Sequence, residues 1–181
     1  MTIMVHGLDV WEEARRQGIS EQEIAIQRQT RDVLYQQFLG SEDLSIPGVE
    51  QVLDQLKDEY RMSIVTTCRD RDFAYIHQRA DSRLNIVPYM DRVFTRSHYN
   101  KSKPHPEPYL TAIEAFSISP KYALAIEDSE RGLRSACAAG IDCVVVDHKF
   151  TKTQNFSAAA YRIENLLELV PLLKSLANTD D

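Results

Sequence analysis

Cysteine is scarce in this chain: Cys68, Cys137 and Cys143 are the only three in 181 residues. An odd number without metal-type spacing excludes a disulfide framework and points to reduced thiols in a cytoplasmic protein. No apolar run approaches the length that crosses a bilayer, which excludes membrane insertion. The opening "MTIMVHGLDVWEEARRQG" lacks a basic start followed by a long apolar stretch and is read as carrying no secretory signal. Lys and Arg number 21 against 27 Asp and Glu, a net charge of -6. With no basic cluster, nucleic acid is excluded as a partner. A small anionic ligand stays open, since it needs only a few cations placed locally. No internal repeat and no low-complexity segment occurs.

What is present is ordinary globular composition, 43% hydrophobic and 27% charged, in a chain long enough for one core with a small appendage. The first forty residues read as helical. Ser20 with Glu23 makes a capping box, and Ile26, Thr30, Val33, Leu34 and Phe38 form a stripe that runs to Gly40. After "SEDLSIPG", Val49, Val52, Leu53 and Leu56 sit at i, i+3, i+4, i+7, an amphipathic helix leading into the β-prone "MSIVTT". Helical stretches near 70–84, 108–117, 129–139 and 165–177 then separate the apolar runs "RVFT", "YALAI", "CVVV" and "AYRI". This alternation predicts an α/β fold, a Rossmann-like parallel sheet with helices on both faces, whose ligands bind at the carboxyl ends of the strands. The final "ANTDD" reads as a frayed tail.

Three segments fall at those strand ends. "SIVTTCRD" offers the hydroxyls and backbone N–H groups of Thr66 and Thr67, although threonine there also serves as plain turn chemistry. "SKPHPEPYL" puts proline at every second position, biasing Lys103, His105 and Glu107 toward extended backbone and making a stiff arm that runs into a helix beginning at Pro108. "ALAIEDSERGLRSACAAG" delivers two adjacent carboxylates, Glu127 and Asp128, at the tip of an apolar strand. Helix capping by Asp128 explains one of them. Two neighbouring carboxylates repel, and a hard cation such as Mg²⁺ with oxygen ligands is one way to compensate them. Arg69 lies beside the first segment and is positioned to neutralise an anion. His105 is explained by the arm, Cys68 has no histidine placed to activate it, and Arg131 and Arg134 read as solvated.

In this order and spacing, "PGVEQVLDQLK", Thr66, "KPHPEPYL" and "IEDSERGLRSACAAG" resemble the haloacid dehalogenase-like hydrolase superfamily, in its phosphatase and phosphoglucomutase branch, from about Pro47 to the last helix. By resemblance Thr66 hydrogen-bonds a transferring phosphoryl group, Lys103 neutralises developing charge, and Asp128, assisted by Glu127, holds Mg²⁺. Thr67 and Arg69 complete the phosphate-binding set. The resemblance implies an Mg²⁺-dependent phosphatase of small phosphorylated metabolites. Such chemistry is mostly positioning and electrostatic stabilisation.

One family element is missing: a strand ending in Asp-x-Asp, whose first Asp attacks phosphorus. Asp9 in "IMVHGLDVW" is followed two residues later by Trp11 instead of an acid. Residues 1–45 instead resemble part of the family's small helical cap, and 46–181 its α/β core. By resemblance the absent strand lies between "MSIVTT" and "YALAI", so residues 2–6, another chain or an upstream segment must fill its place. The chain as it stands is therefore expected to be inactive. The alternative is a non-catalytic relative that binds a phosphorylated ligand or a partner protein, with oligomerisation one way to supply the strand.

Overall fold

A computed structural model describes residues 10–41, 46–77 and 85–178. The chain divides into two compact units, Met1–Asp43 and Leu44–Asp181. Residues 2–6 and Asp9 lie outside the described residues, as does the tail beyond 178.

The first unit holds α1 (Val10–Arg16) and α2 (Glu21–Ser41). Ser20 Oγ accepts the Glu23 N–H at 3.2 Å and opens α2. That hydroxyl satisfies one of the amides left over at a helix start. The helix runs through Gly40 to Ser41. Ile24 is its fully buried side chain, whereas Ile26, Val33, Leu34 and Phe38 of the stripe are exposed.

The second unit is α/β. In chain order it runs α3 (Val49–Leu56), β1 (Ser63–Val65), α4 (Asp70–His77), β2 (Arg92–Phe94), α5 (Glu107–Phe116), β3 (Leu124–Glu127), α6 (Glu130–Ala138), β4 (Asp142–Val146), β5 (Tyr161–Ile163) and α7 (Leu169–Ala177). All pairing is parallel. β1 pairs with β2 with Ile64 opposite Val93, while β3, β4 and β5 form a second sheet with Ala125 opposite Cys143 and Val145 opposite Arg162. Among the described residues β1 and β3 share no ladder. The break falls between the two strands that the resemblance puts on either side of the Asp-x-Asp strand.

β4 shows why the second sheet is covered on both faces. Cys143, Val144 and Val145 are all fully buried, the unbroken apolar run that a two-sided strand requires. Cys143 and Val145 pack with Tyr109, Leu133 and Ala136 of α5 and α6. Val144 packs the opposite way, with Val52, Leu56, Leu169 and Val170 of α3 and α7. α6 ends at Ala138, and just beyond its Ala139 cap the φ of +75° at Gly140 makes the left-handed turn that lets the chain drop straight into β4. Parallel strands bring the carboxyl ends of β3 and β4 to one edge, where the candidate residues gather.

Candidate active site

Lys103 stands at the centre of this edge. Its ammonium donates to the Val65 carbonyl at the end of β1, at 2.9 Å, and to Glu127 Oε1 at the end of β3, at 2.5 Å. One side chain thus bridges the two sheets. The pair is nearly dry, with the Lys103 and Glu127 side chains 12% and 8% exposed. Tyr109, from the first turn of α5, donates its hydroxyl to the same Glu127 oxygen at 2.5 Å, and its ring lies 4.8 Å beneath the ammonium. Burial first, and the Glu127 charge second, push the Tyr109 phenol well above its ordinary value, so it remains a proton donor.

The segment carrying Lys103 is a turn, not the extended arm expected from its prolines. The His105 N–H reaches back to Ser102 O at 3.0 Å, Pro106 adopts helical angles, and the Lys103–Pro104 bond is cis. α5 begins at Glu107, one residue before Pro108. A residue before proline normally avoids helical backbone. Here the Glu107 carboxylate takes the N–H groups of Asn100 and Lys101 at 2.7 and 2.9 Å, tying the helix start to the preceding loop. These bonds hold its carboxyl below the usual range. From the other side α6 grips the turn: Arg131 donates to Lys103 O at 2.5 Å, and Ser135, fully buried, to His105 O at 2.6 Å. Arg131 is exposed, as its place on α6 suggested, yet it donates one N–H to the Lys103 carbonyl.

Gly132 makes room for the pair. A Cβ at this position would lie 1.8 Å from Glu127 Oε2, so only glycine lets the helix pass that close. The cap of α6 is Ser129, whose Oγ accepts the Gly132 N–H at 3.2 Å. Capping therefore does not account for Asp128, which is exposed while Glu127 is buried. Adjacent residues at a strand end point to opposite sides. The positive charge beside Glu127 is the Lys103 ammonium. Among the described residues no group of three or more His, Cys, Asp or Glu is placed to hold a metal ion.

The other candidates sit close by on β1's carboxyl end. Thr66 O accepts the Tyr99 hydroxyl at 2.6 Å, and Thr66 Oγ1 accepts the Cys68 N–H at 3.1 Å, the turn role that threonine commonly plays. Its own O–H is still available to donate. Thr67 is exposed. Arg69 donates to Asp72 Oδ2 at 2.8 Å, and burial raises the Cys68 thiol above its ordinary value. Tyr109, Arg131 and Ser135 lie within the stretches "KPHPEPYL" and "IEDSERGLRSACAAG", but the sequence assigns none of them a role at the site. Tyr109 shares helical spacing with Ile113 and Phe116, and a tyrosine on such an apolar face must deliver its hydroxyl to a partner, which is the signal the sequence offers.

The match to known proteins follows this geometry. The sequence fits the family model of haloacid dehalogenase-like hydrolases over residues 3–146. The chain belongs to the haloacid dehalogenase-like hydrolase family. Protein CbbY of Rhodobacter capsulatus is 30% identical over 82% of this chain and 66% of its own length. A phosphoglycolate phosphatase of Nitrosococcus oceani is 31% identical over 72% of this chain and 58% of its own. The chain thus spans less than two thirds of these relatives. In structure it superposes on CbbY of Rhodobacter sphaeroides in complex with phosphate with a TM-score of 0.71, at 23% identity over 83% of this chain and 67% of that one. The form of the same protein bound to xylulose-(1,5)-bisphosphate gives 0.69, at 21% identity over the same shares. These likenesses establish the haloacid dehalogenase-like fold for the α/β unit.

Proposed function

We propose that this protein contributes the phosphate-binding half of a phosphohydrolase site for small phosphomonoesters. The carrying observation is the Lys103 ammonium, held nearly dry between Val65 O and Glu127 Oε1 at the carboxyl edge of the sheets. A buried ion pair is a costly way to stabilise a fold, because desolvation offsets most of its attraction. Its place at a ligand-binding edge gives it a better use: a preorganised cation aimed at spread negative charge.

In this reading Lys103 neutralises charge on a transferring phosphoryl group. Thr66 donates its free O–H and, with Thr67 and Arg69, completes the cradle. That relatives include a phosphoglycolate phosphatase and a phosphate-bound CbbY supports this substrate class. Asp128, with Glu127 beside it and further oxygen ligands, would hold Mg²⁺, which would add charge neutralisation. A second reading, a non-catalytic protein that binds a phosphorylated ligand, is favoured by Cys68, a thiol beside the site that burial raises above its ordinary value and so leaves unreactive.

Both are tested on the 181-residue chain and on the same chain joined upstream to a segment carrying the family's Asp-x-Asp strand. The first reading expects the joined form to hydrolyse phosphomonoesters, with Lys103→Ala or Asp128→Asn reducing kcat/KM at least about a hundredfold, the scale of removing one charge-stabilising group. No turnover across a broad panel would sink it. The second expects saturable phosphate binding by the chain alone and no hydrolysis by either form.

A further inference from the structure

Glu127 Oε1 takes two donors at once, the Lys103 ammonium and the Tyr109 hydroxyl, each at 2.5 Å. They are not equally free to leave. Lys103 ends a flexible four-carbon stem, whereas Tyr109 is 8% exposed and its ring is packed with Leu133, Ala136, Cys143 and Val145. An ammonium that turns toward a phosphoryl oxygen must let go of Glu127. The carboxylate left behind is 9% exposed, and a buried charge without a donor is expensive. Glu127 cannot swing away to find another partner on the α6 side, because its carboxylate already lies against Gly132. Ser129 Oγ reaches the other oxygen only at 3.5 Å.

We propose that Tyr109 is a positioning residue of this site: it stays hydrogen-bonded to Glu127 while the Lys103 ammonium moves from the carboxylate to an anionic oxygen of the ligand. The proposal rests on the phosphate reading of Lys103 given above. Tyr109 lowers what Lys103 gives up on leaving, and so sets how readily the lysine serves a ligand. The raised proton affinity of the buried phenol keeps it a donor throughout the neutral range.

The test compares the 181-residue chain with Tyr109→Phe, which keeps the ring beneath Lys103 and removes only the hydroxyl. Two readouts are taken on the folded proteins: the rate at which a small N-hydroxysuccinimide ester acylates Lys103, resolved by peptide mass analysis, and the Kd for inorganic phosphate. With Lys103 as the sole remaining donor to Glu127 Oε1, acylation is expected to slow about tenfold and phosphate to bind about tenfold more weakly, the weight of one hydrogen bond to a charged group. In a Glu127→Gln background both effects of Tyr109→Phe should vanish. A hydroxyl that serves packing alone predicts the opposite, Lys103 acylated at the same rate or faster, and that result overturns the proposal. So does a phosphate Kd unchanged by Tyr109→Phe, or an effect that survives Glu127→Gln. Absence of saturable phosphate binding by the unsubstituted chain, with acylation slowed as expected, overturns the phosphate reading and leaves the hold of Tyr109 on Glu127 standing.

Discussion

Gly132 is where the helix and the ion pair come closest. Alanine there would put a carbon 1.8 Å from Glu127 Oε2 and 2.0 Å from the carboxylate carbon. The end of a free glutamate could step aside, but this one is held by Lys103 and Tyr109. Gly132→Ala is therefore expected to cost ~1–3 kcal/mol, the usual range for overpacking. A urea unfolding midpoint equal to that of the unsubstituted chain would show that the carboxylate has room after all. The cysteines divide as sharply. Cys143 is fully buried, with its thiol pushed up to about 12, chiefly by burial, whereas Cys137 is exposed. At pH 8 a thiol-directed disulfide reagent should label Cys137 in the folded chain and reach Cys143 only on unfolding. Early labelling of Cys143 would mean that β4 opens well below global unfolding.

The turn from Asn100 to Glu107 owes its shape to bonds at both ends, and these carry a pH signature. The Glu107 carboxyl is held below 4.5 in the folded chain, first by the Asn100 N–H. A depressed carboxyl contributes stability that is fully present above its unfolded value and lost as pH falls through the folded one. Glu107→Gln should therefore flatten the loss of stability below about pH 4.5, followed by thermal unfolding across that range. An unchanged acid limb would place the sensitivity elsewhere. Ser135→Ala should leave the His105 carbonyl without its partner at a cost of ~1–3 kcal/mol. At this scale much could be read in advance. The runs "RVFT", "YALAI", "CVVV" and "AYRI" each overlap an observed strand, and the helix that starts at Val49 follows its i, i+3, i+4, i+7 spacing because local periodicity decides both. The turn at Lys103 departs from the extended arm expected there because proline's bias is local, while the bonds that bend it, Glu107 to Asn100, Arg131 to Lys103 and Ser135 to His105, span 7 to 30 positions. Tyr109 escaped for a similar reason: its partner lies 18 residues on, and only the fold brings them together.

Across the whole α/β unit the sheet is in two parts, and Lys103 joins them through its bonds to Val65 O and Glu127. The N–H of Thr66 goes to Phe94 O on β2. Peptide groups alternate sides along a strand, so those of Val65 face away from β2, toward β3. There the ammonium takes the carbonyl, and the described residues offer no ladder partner for the Val65 N–H. Each buried unpaired backbone group costs about 1–3 kcal/mol, against a net stability of about 5–15 kcal/mol for a domain. An edge of this kind should show itself in hydrogen exchange. The Val65 amide is expected to exchange roughly a hundredfold faster than that of Thr66, one hydrogen bond's worth of protection or more. Supplying the Asp-x-Asp segment upstream should slow Val65 and leave Thr66 unchanged, since the new strand would sit on one side of β1 only. Equal protection of the two amides in the 181-residue chain alone would mean that the place beside β1 is already filled. Sedimentation would then separate the two sources: a monomer assigns it to residues of the same chain, and a dimer to a second copy.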